Sequence, residues 1–197
     1  MPINFYFDFL SPYSYLARSR LVGLASQYGM SIRYHAIDLA QLKAAIGNIG
    51  PANRDLEVKL SHLKVDLQRW ADLYGIPLVF PPNYQSRSLN CGLYFPAALG
   101  QEAEYVSHAF HETWGKGRAP DSKQVFQELC ALMQWNLSEF MDFTESNSAL
   151  DLFNRATQDA IGEKIFGVPT TIVNDQMWWG NDRLFFVEKY LQKETMK

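Results

Sequence analysis

Phe5-Tyr6-Phe7-Asp8-Phe9-Leu10-Ser11-Pro12-Tyr13-Ser14-Tyr15 decides how this chain folds. The short aromatic run reads as a buried strand, and Ser-Pro then opens a helix. Serine is a favoured N-cap, and proline suits the first helical position, where its missing N–H costs nothing. Apolar residues at Tyr13, Ala17, Leu21, Leu24 and Tyr28 keep close to the helical period. The hydroxyl of Ser11 is therefore expected where unpaired backbone N–H groups and the positive end of a helix dipole converge. That place stabilises an anion. Read alone, Ser11 is an ordinary helix cap, as most Ser-Pro helix starts are.

The far end of the chain adds to this. Phe166-Gly167-Val168-Pro169-Thr170-Thr171-Ile172-Val173 is a turn leading through a proline into a strand, and Trp178-Trp179-Gly180-Asn181-Asp182-Arg183 follows. An early strand-Ser-helix and a late Gly-Val-Pro-Thr outline a thioredoxin-like fold, in which Pro169 is expected to be cis, an infrequent and informative feature.

The 197 residues are 47% hydrophobic and 20% charged, an ordinary globular composition that suits one elaborate domain or two small ones. Net charge is −3 with no basic run, which argues against nucleic acid as a partner. No apolar stretch reaches bilayer length, so no membrane partner is expected. Asp8 interrupts the first apolar run and no basic leader precedes it, so a cytoplasmic location is expected. Cys91 and Cys130 lie far apart without metal-ligand spacing and are expected to pack as small apolar residues.

Ile3–Phe9 reads as a strand, 12–28 as a helix stopped by Gly29, and 31–39 as a second strand, giving a β-α-β unit with a parallel pair. The chain then changes character. After the loop Gly47-Asn48-Ile49-Gly50-Pro51-Ala52-Asn53, the residues Leu56, Leu60, Leu63, Leu67, Trp70 and Tyr74 recur at helical spacing. Further helices are expected near 87–99, 103–114, 122–133, 138–145 and 149–164. Strands return only at 169–173 and 176–179, before a last helix after Asp182. The expected architecture is α/β: a thioredoxin-like domain from residues 1–44 and 151–197, with an all-α domain, residues 45–150, inserted in its middle.

Where redox members of this fold carry Cys-x-x-Cys, this chain has Ser11-Pro12-Tyr13-Ser14, so dithiol exchange by the protein's own thiols is excluded there. A hydroxyl can still donate to the sulfur of a bound thiol. Lowering a thiol pKa from about 8.5 by about two units takes roughly 2.7 kcal/mol. A hydrogen bond to a charged acceptor contributes roughly 1.5–3 kcal/mol and the helix end about 0.3–1 more. Glutathione is the natural diffusible thiol for such a site. The backbone of Val168 beside a cis-proline is placed to pair with an extended peptide, although Pro169 read alone merely begins a strand. Asn181 and Asp182 are candidates for the amide and charged ends of the tripeptide. Asp182 is also placed to cap the final helix.

At this point the residues match something specific. The chain resembles the 2-hydroxychromene-2-carboxylate isomerase family, grouped with the kappa-class glutathione transferases. The resemblance is densest in Asp8-Phe9-Leu10-Ser11-Pro12, Ala36-Ile37-Asp38-Leu39-Ala40, Asn53-Arg54-Asp55-Leu56, Phe166-Gly167-Val168-Pro169-Thr170 and Trp178-Trp179-Gly180-Asn181-Asp182-Arg183. It implies glutathione-dependent conversion of 2-hydroxychromene-2-carboxylate to trans-o-hydroxybenzylidenepyruvate by thiolate addition, bond rotation and elimination, a step in breakdown of naphthalene and related aromatics. It implies that Ser11 activates the glutathione sulfur and that Val168, Trp179, Gly180, Asn181 and Asp182 bind glutathione. Lys43, Asn53, Arg54 and Tyr84 would bind the aromatic carboxylate, and the assembly would be a homodimer. Elementary chemistry agrees for the substrate residues: Lys43 and Arg54 flank a Gly/Asn/Pro loop, and two cations can hold a carboxylate and an enolate.

Two other functions stay open on sequence. A kappa-like transferase would leave glutathione on an electrophile, and a non-catalytic module would bind glutathione or a peptide at the Val168-Pro169 edge. His108 and His111 stand three apart without a matching acidic or cysteine pair and read as a surface or interface pair rather than a metal site.

Overall fold

Strand β1 (Ile3–Phe7) lies at the centre because both of its faces are apolar. Phe5, Phe7 and Phe9 alternate onto one face and are fully buried, while Tyr6 points to the other and is 5% exposed. A computed structural model describes residues 2–195, apart from the side chain of Arg54. The sheet order is β2-β1-β3-β4, with β2 at Ile32–Ala36, β3 at Thr170–Val173 and β4 at Gln176–Trp179. β2 runs parallel to β1, whereas β3 is antiparallel to both β1 and β4. Helix α1 (Pro12–Gln27) makes the crossover between β1 and β2.

Short polar caps start the helices that follow. Asp38 Oδ1 accepts from the N–H groups of Ala40 and Gln41 and opens α2 (Leu39–Ala45). Helix α3 (Glu57–Tyr74) ends at Gly75, whose φ of 65° is the left-handed C-terminal stop that glycine adopts without strain. Ser122, Asn136 and Ser146 cap α6 (Lys123–Met133), α7 (Leu137–Thr144) and α8 (Asn147–Gly162) in the same manner as Asp38. Helices α4 (Arg87–Gly92) and α5 (Glu102–Phe110) lie between α3 and α6, and α9 (Leu184–Thr195) follows β4.

Every described element between α2 and β3 is helical. These helices do not bury themselves apart from the sheet. Phe110 of α5 packs 4.7 Å from Phe9 and 5.5 Å from Phe7, ring centre to ring centre, so the Phe5-Phe7-Phe9 face and the helical middle share one core. The opposite face buries Tyr6 with Ile37, Leu42, Ala160 and Ile165, and α8 supplies Ala160. The junction expected between residues 150 and 151 therefore falls inside α8, a helix that covers the sheet.

Three expectations about element bounds change. The single helix expected over 87–99 is broken: α4 stops at Gly92, and Pro96 starts a separate 3-10 turn, Pro96–Ala98, because proline cannot continue the helical ladder. The helix expected over 103–114 ends in a π-helical turn, His111–Gly115. The second strand is shorter than 31–39, since its last residues form the Asp38 cap. Cys91 and Cys130 are buried free thiols, each pushed up to about 11 by burial. Among the described residues no helix is long and apolar enough to cross a membrane.

His35 of β2 stacks on Tyr6 at 4.4 Å, with Nε2 3.1 Å from Asn4 Oδ1. Burial pulls its pKa down from 6.5 to about 4. The unfolded chain thus takes up the proton first, and folding stability falls as pH drops from about 6.5 towards 4. His35→Phe keeps the stack and removes the proton site. Its thermal midpoint should fall less than wild type over that interval in scans at fixed ionic strength.

Candidate active site

Backbone geometry at the end of β1 sets the position of Ser11. Its N–H donates to Asp8 C=O at 2.9 Å, and its Oγ accepts from Ser14 N–H at 3.2 Å. Pro12 has no N–H, and Tyr13 N–H has no acceptor among the described residues. Ser11 is 5% exposed and lies at the start of a 16-residue helix, so a hydroxyl, an uncommitted N–H and the positive helix end meet.

This place opens into a cavity of about 500 Å³. Leu39, Leu63 and Phe80 give it apolar walls, and Ile46, Phe166 and Trp179 form a half-exposed apolar rim. Trp114 forms an inner wall, stacked on Tyr84 at 5.9 Å and 30° and edge-on to Phe80 at 5.8 Å. Its indole N–H donates to Phe9 C=O at 2.8 Å and ties the wall to the turn before Ser11. Trp114 belongs to the π-helical turn, a geometry frequent at functional sites. Three contacts brace that turn. Buried Glu112 accepts from Lys116 at 2.7 Å and pairs with Arg118, and Val79 N–H donates to Trp114 C=O at 2.7 Å. Lys43, one turn into α2, is the cation on the cavity among the described residues, and no carboxylate lines it.

A second cavity of about 380 Å³ shares Tyr13, Val168 and Trp179 with the first. Gly180, Asn181 and Asp182 line it, with Asp66, Trp70 and Arg183. Tyr13 donates its phenol to Asp66 at 2.8 Å, and burial followed by that carboxylate pushes the phenol well above its usual range. The Val168-Pro169 bond is cis, and neither N–H nor C=O of Val168 is hydrogen-bonded among the described residues. Asn181 is 3% exposed and its Nδ2 has no acceptor. The Tyr74 phenol lies beside it, close enough for the Asn181 side chain to favour the phenolate.

Ser11, Lys43, Asn53, Tyr84, Val168 and Trp179 thus meet on the larger cavity, and Gly180, Asn181 and Asp182 on the adjoining one. The side chain of Arg54 lies outside the described residues. Asn53 is exposed and accepts from Lys59 at 3.3 Å. Asp182 pairs with neighbouring Arg183, and the 3-10 turn Asn181–Arg183 carries no side-chain cap. That exposed ion pair contributes little to stability.

Sequence reading missed Asp8, Tyr13, Phe80 and Trp114 as site residues. Asp8 did carry a signal, since a charge in an aromatic strand run must be satisfied when buried. Trp114 carried none, because the π turn that aims it depends on contacts with Val79 and Phe9, 35 and 105 positions away.

Gly167 and Trp179 make a close approach that glycine alone permits. A Cβ on Gly167 would lie 2.5 Å from Trp179 Nε1. Trp179 is 52% exposed and can swing outward, so Gly167→Ala should leave the thermal midpoint nearly unchanged. A ligand seated against Trp179 should bind about tenfold more weakly by calorimetry, the effect of about 1.4 kcal/mol.

Hydroxyls at both ends of Ser11-Pro12-Tyr13-Ser14, set against a cis-proline edge, define a thioredoxin-class site without a dithiol of its own. A family profile described as the DSBA-like thioredoxin domain matches residues 2–192. The chain is 56% identical over 188 residues to 2-hydroxychromene-2-carboxylate isomerase of Pseudomonas putida, spanning 95% of this chain and 93% of that one. A solved structure of a protein of that name superposes with a TM-score of 0.95 at 54% identity, covering 99% of this chain and 96% of the other. Glutathione S-transferase kappa 1 of Caenorhabditis elegans is 25% identical, over 97% of this chain and 91% of its own. The chain belongs to the DSBA-like thioredoxin-domain family and, within it, to the 2-hydroxychromene-2-carboxylate isomerases.

Proposed function

We propose that the protein isomerises 2-hydroxychromene-2-carboxylate to trans-o-hydroxybenzylidenepyruvate, with glutathione as a recycled thiol. One observation carries this reading: the Ser11 helix start and the Lys43 cation face the same aromatic-walled cavity, which no carboxylate lines among the described residues. That cavity suits a flat anion held beside a thiolate.

The residues present fit glutathione. Val168 offers an N–H and C=O that are unpaired among the described residues for strand-like pairing with the cysteinyl residue, and the Asn181 amide, beside Tyr74, lines the adjoining cavity. Asp66 and Asp182 suit the ammonium end, and Arg183 a carboxylate. When bound, glutathione would supply a thiolate that adds to the conjugated system of the substrate, allows rotation about the bond so made single, and is expelled again as the double bond re-forms, so that no thiol is consumed. Ser11 Oγ–H donates to the sulfur, and Tyr13 N–H with the helix dipole adds to the preference for the anion. Lys43 holds the substrate carboxylate and offsets negative charge that develops on the pyruvate oxygen. Tyr84 and Trp114, stacked on each other, present one aromatic wall to the substrate ring and keep water from the reacting carbons. Dependence on glutathione agrees with a cytoplasmic location.

Ultraviolet spectra of 2-hydroxychromene-2-carboxylate mixed with the protein and glutathione test this reading. It requires rapid approach to the trans product, dependent on both. No spectral change would mean that the substrate is wrong. The kappa-class relative favours a second reading, conjugation of an electrophile. Loss of free thiol in proportion to product would establish that instead.

A further inference from the structure

Asp8 is a carboxylate 2% exposed, with no cation in ion-pairing range among the described residues. Its oxygens divide their partners. Oδ1 accepts from Leu10 N–H at 3.1 Å, Ser86 Oγ at 2.7 Å and Asn90 Nδ2 at 2.7 Å. Asn90 Oδ1 in turn accepts from Phe9 N–H at 3.2 Å, and the Asp8 carbonyl receives Ser11 N–H. This side therefore holds the Phe9-Leu10-Ser11 turn. Oδ2 accepts from Leu39 N–H at 3.2 Å, the first residue of α2. Lys43 stands four residues further on, on the same face of that helix. All four partners are donors, so the site is built for the anion. Burial pushes the carboxyl pKa up, and the bonds from Asn90, Ser86, Leu10 and Leu39 oppose it. An anion beside Ser11 does nothing for a thiolate by charge, so its contribution must be geometric.

We propose that Asp8 is a positioning residue whose two oxygens tie the Ser11 turn to the first turn of the Lys43 helix, fixing the distance between thiol site and substrate-holding cation. The proposal rests on the role given to Lys43 above.

Asp8→Asn separates the two ties. An amide keeps its oxygen on the side with three donors and turns its NH₂ towards Leu39 N–H, so the α2 tie alone is lost. Hydrogen exchange at Leu39 N–H should quicken about tenfold while Ser11 N–H is unchanged. The substrate KM should rise about fivefold, with the pH dependence of the 240-nm absorbance of bound glutathione thiolate unmoved. In a Lys43→Ala background the same substitution should change KM less than about twofold, since coupled groups are not additive. Should Asp8→Asn fail to fold, Leu39→Pro reaches the tie from the other side. Proline suits the first helical position, and Asp38 at φ −80° and ψ 103° already has the backbone that precedes one. That variant also loses a wall side chain of the cavity, so its readout is not the rise in KM itself but the shrinkage of that rise when Lys43 is alanine. Unchanged Leu39 exchange, an unchanged KM, or effects of Asp8→Asn and Lys43→Ala that multiply would each overturn the proposal. Failure of the functional reading looks different: Lys43→Ala would then leave KM alone, and the purpose assigned to Asp8 would fall with it.

Discussion

Ser11→Ala should lower glutathione-dependent kcat/KM by roughly 10- to 100-fold at neutral pH, the loss of one hydrogen bond to a charged acceptor. The sign of the pH effect follows from what the hydroxyl stabilises. Removing a donor to the thiolate raises the thiol pKa by about one to two units. The rise of rate with pH moves up by the same amount, so the deficit is largest near neutrality and shrinks in alkali. The substitution also removes the cap on Ser14 N–H, which costs about 1 kcal/mol of stability. Ser11→Gly loses only a few tenths as a cap yet lacks the hydroxyl. Equal catalytic loss in both variants, with unequal thermal midpoints, separates the chemical role from the structural one. Loss of rate that tracked the thermal midpoint would make Ser11 a cap only.

Trp114→Ala should be the most destabilising change near the site. The side chain is 1% exposed, and truncating a buried tryptophan costs about 3–5 kcal/mol. For a chain of this size that lowers the thermal midpoint by about 6–20 °C. It also frees Phe9 C=O and removes the surface against which Tyr84 stacks, so activity falls beyond what instability explains. Trp114→Phe separates the two losses. It keeps an aromatic wall but leaves a buried carbonyl without a donor, at about 1–3 kcal/mol. Melting curves and substrate KM for both variants check this. An alanine variant with near-native stability and KM would show that the π turn only fills space.

Much of this site was legible because its parts are local. Ser-Pro after an aromatic strand places a capped helix, and Val-Pro before Thr-Thr-Ile-Val places the opposing edge; each depends on residues within one turn of the other. The amphipathic spacing from Leu56 to Tyr74 reads directly as α3 for the same reason. Pro96 was a readable stop inside an expected helix, and its stop is what the structure shows. The parts that sequence did not show are held over long separations. Asp8 reads as a bare charge in an apolar run because its partners Ser86 and Asn90 lie 78 and 82 positions away. The wall formed by Trp114 needs Phe9, 105 positions earlier. The helical middle reads as a separate domain by composition, yet Phe110 completes the core of the sheet, a contact that no local pattern encodes.

The central claim is that the site uses glutathione without consuming it. The most direct test strips the protein of thiols, supplies a large excess of 2-hydroxychromene-2-carboxylate, and adds glutathione well below the substrate concentration. The account predicts no enzymatic isomerisation before the addition and progress to equilibrium after it, with free thiol unchanged at the end. Full-rate isomerisation without thiol, or conversion that stops at one product per glutathione, would contradict it.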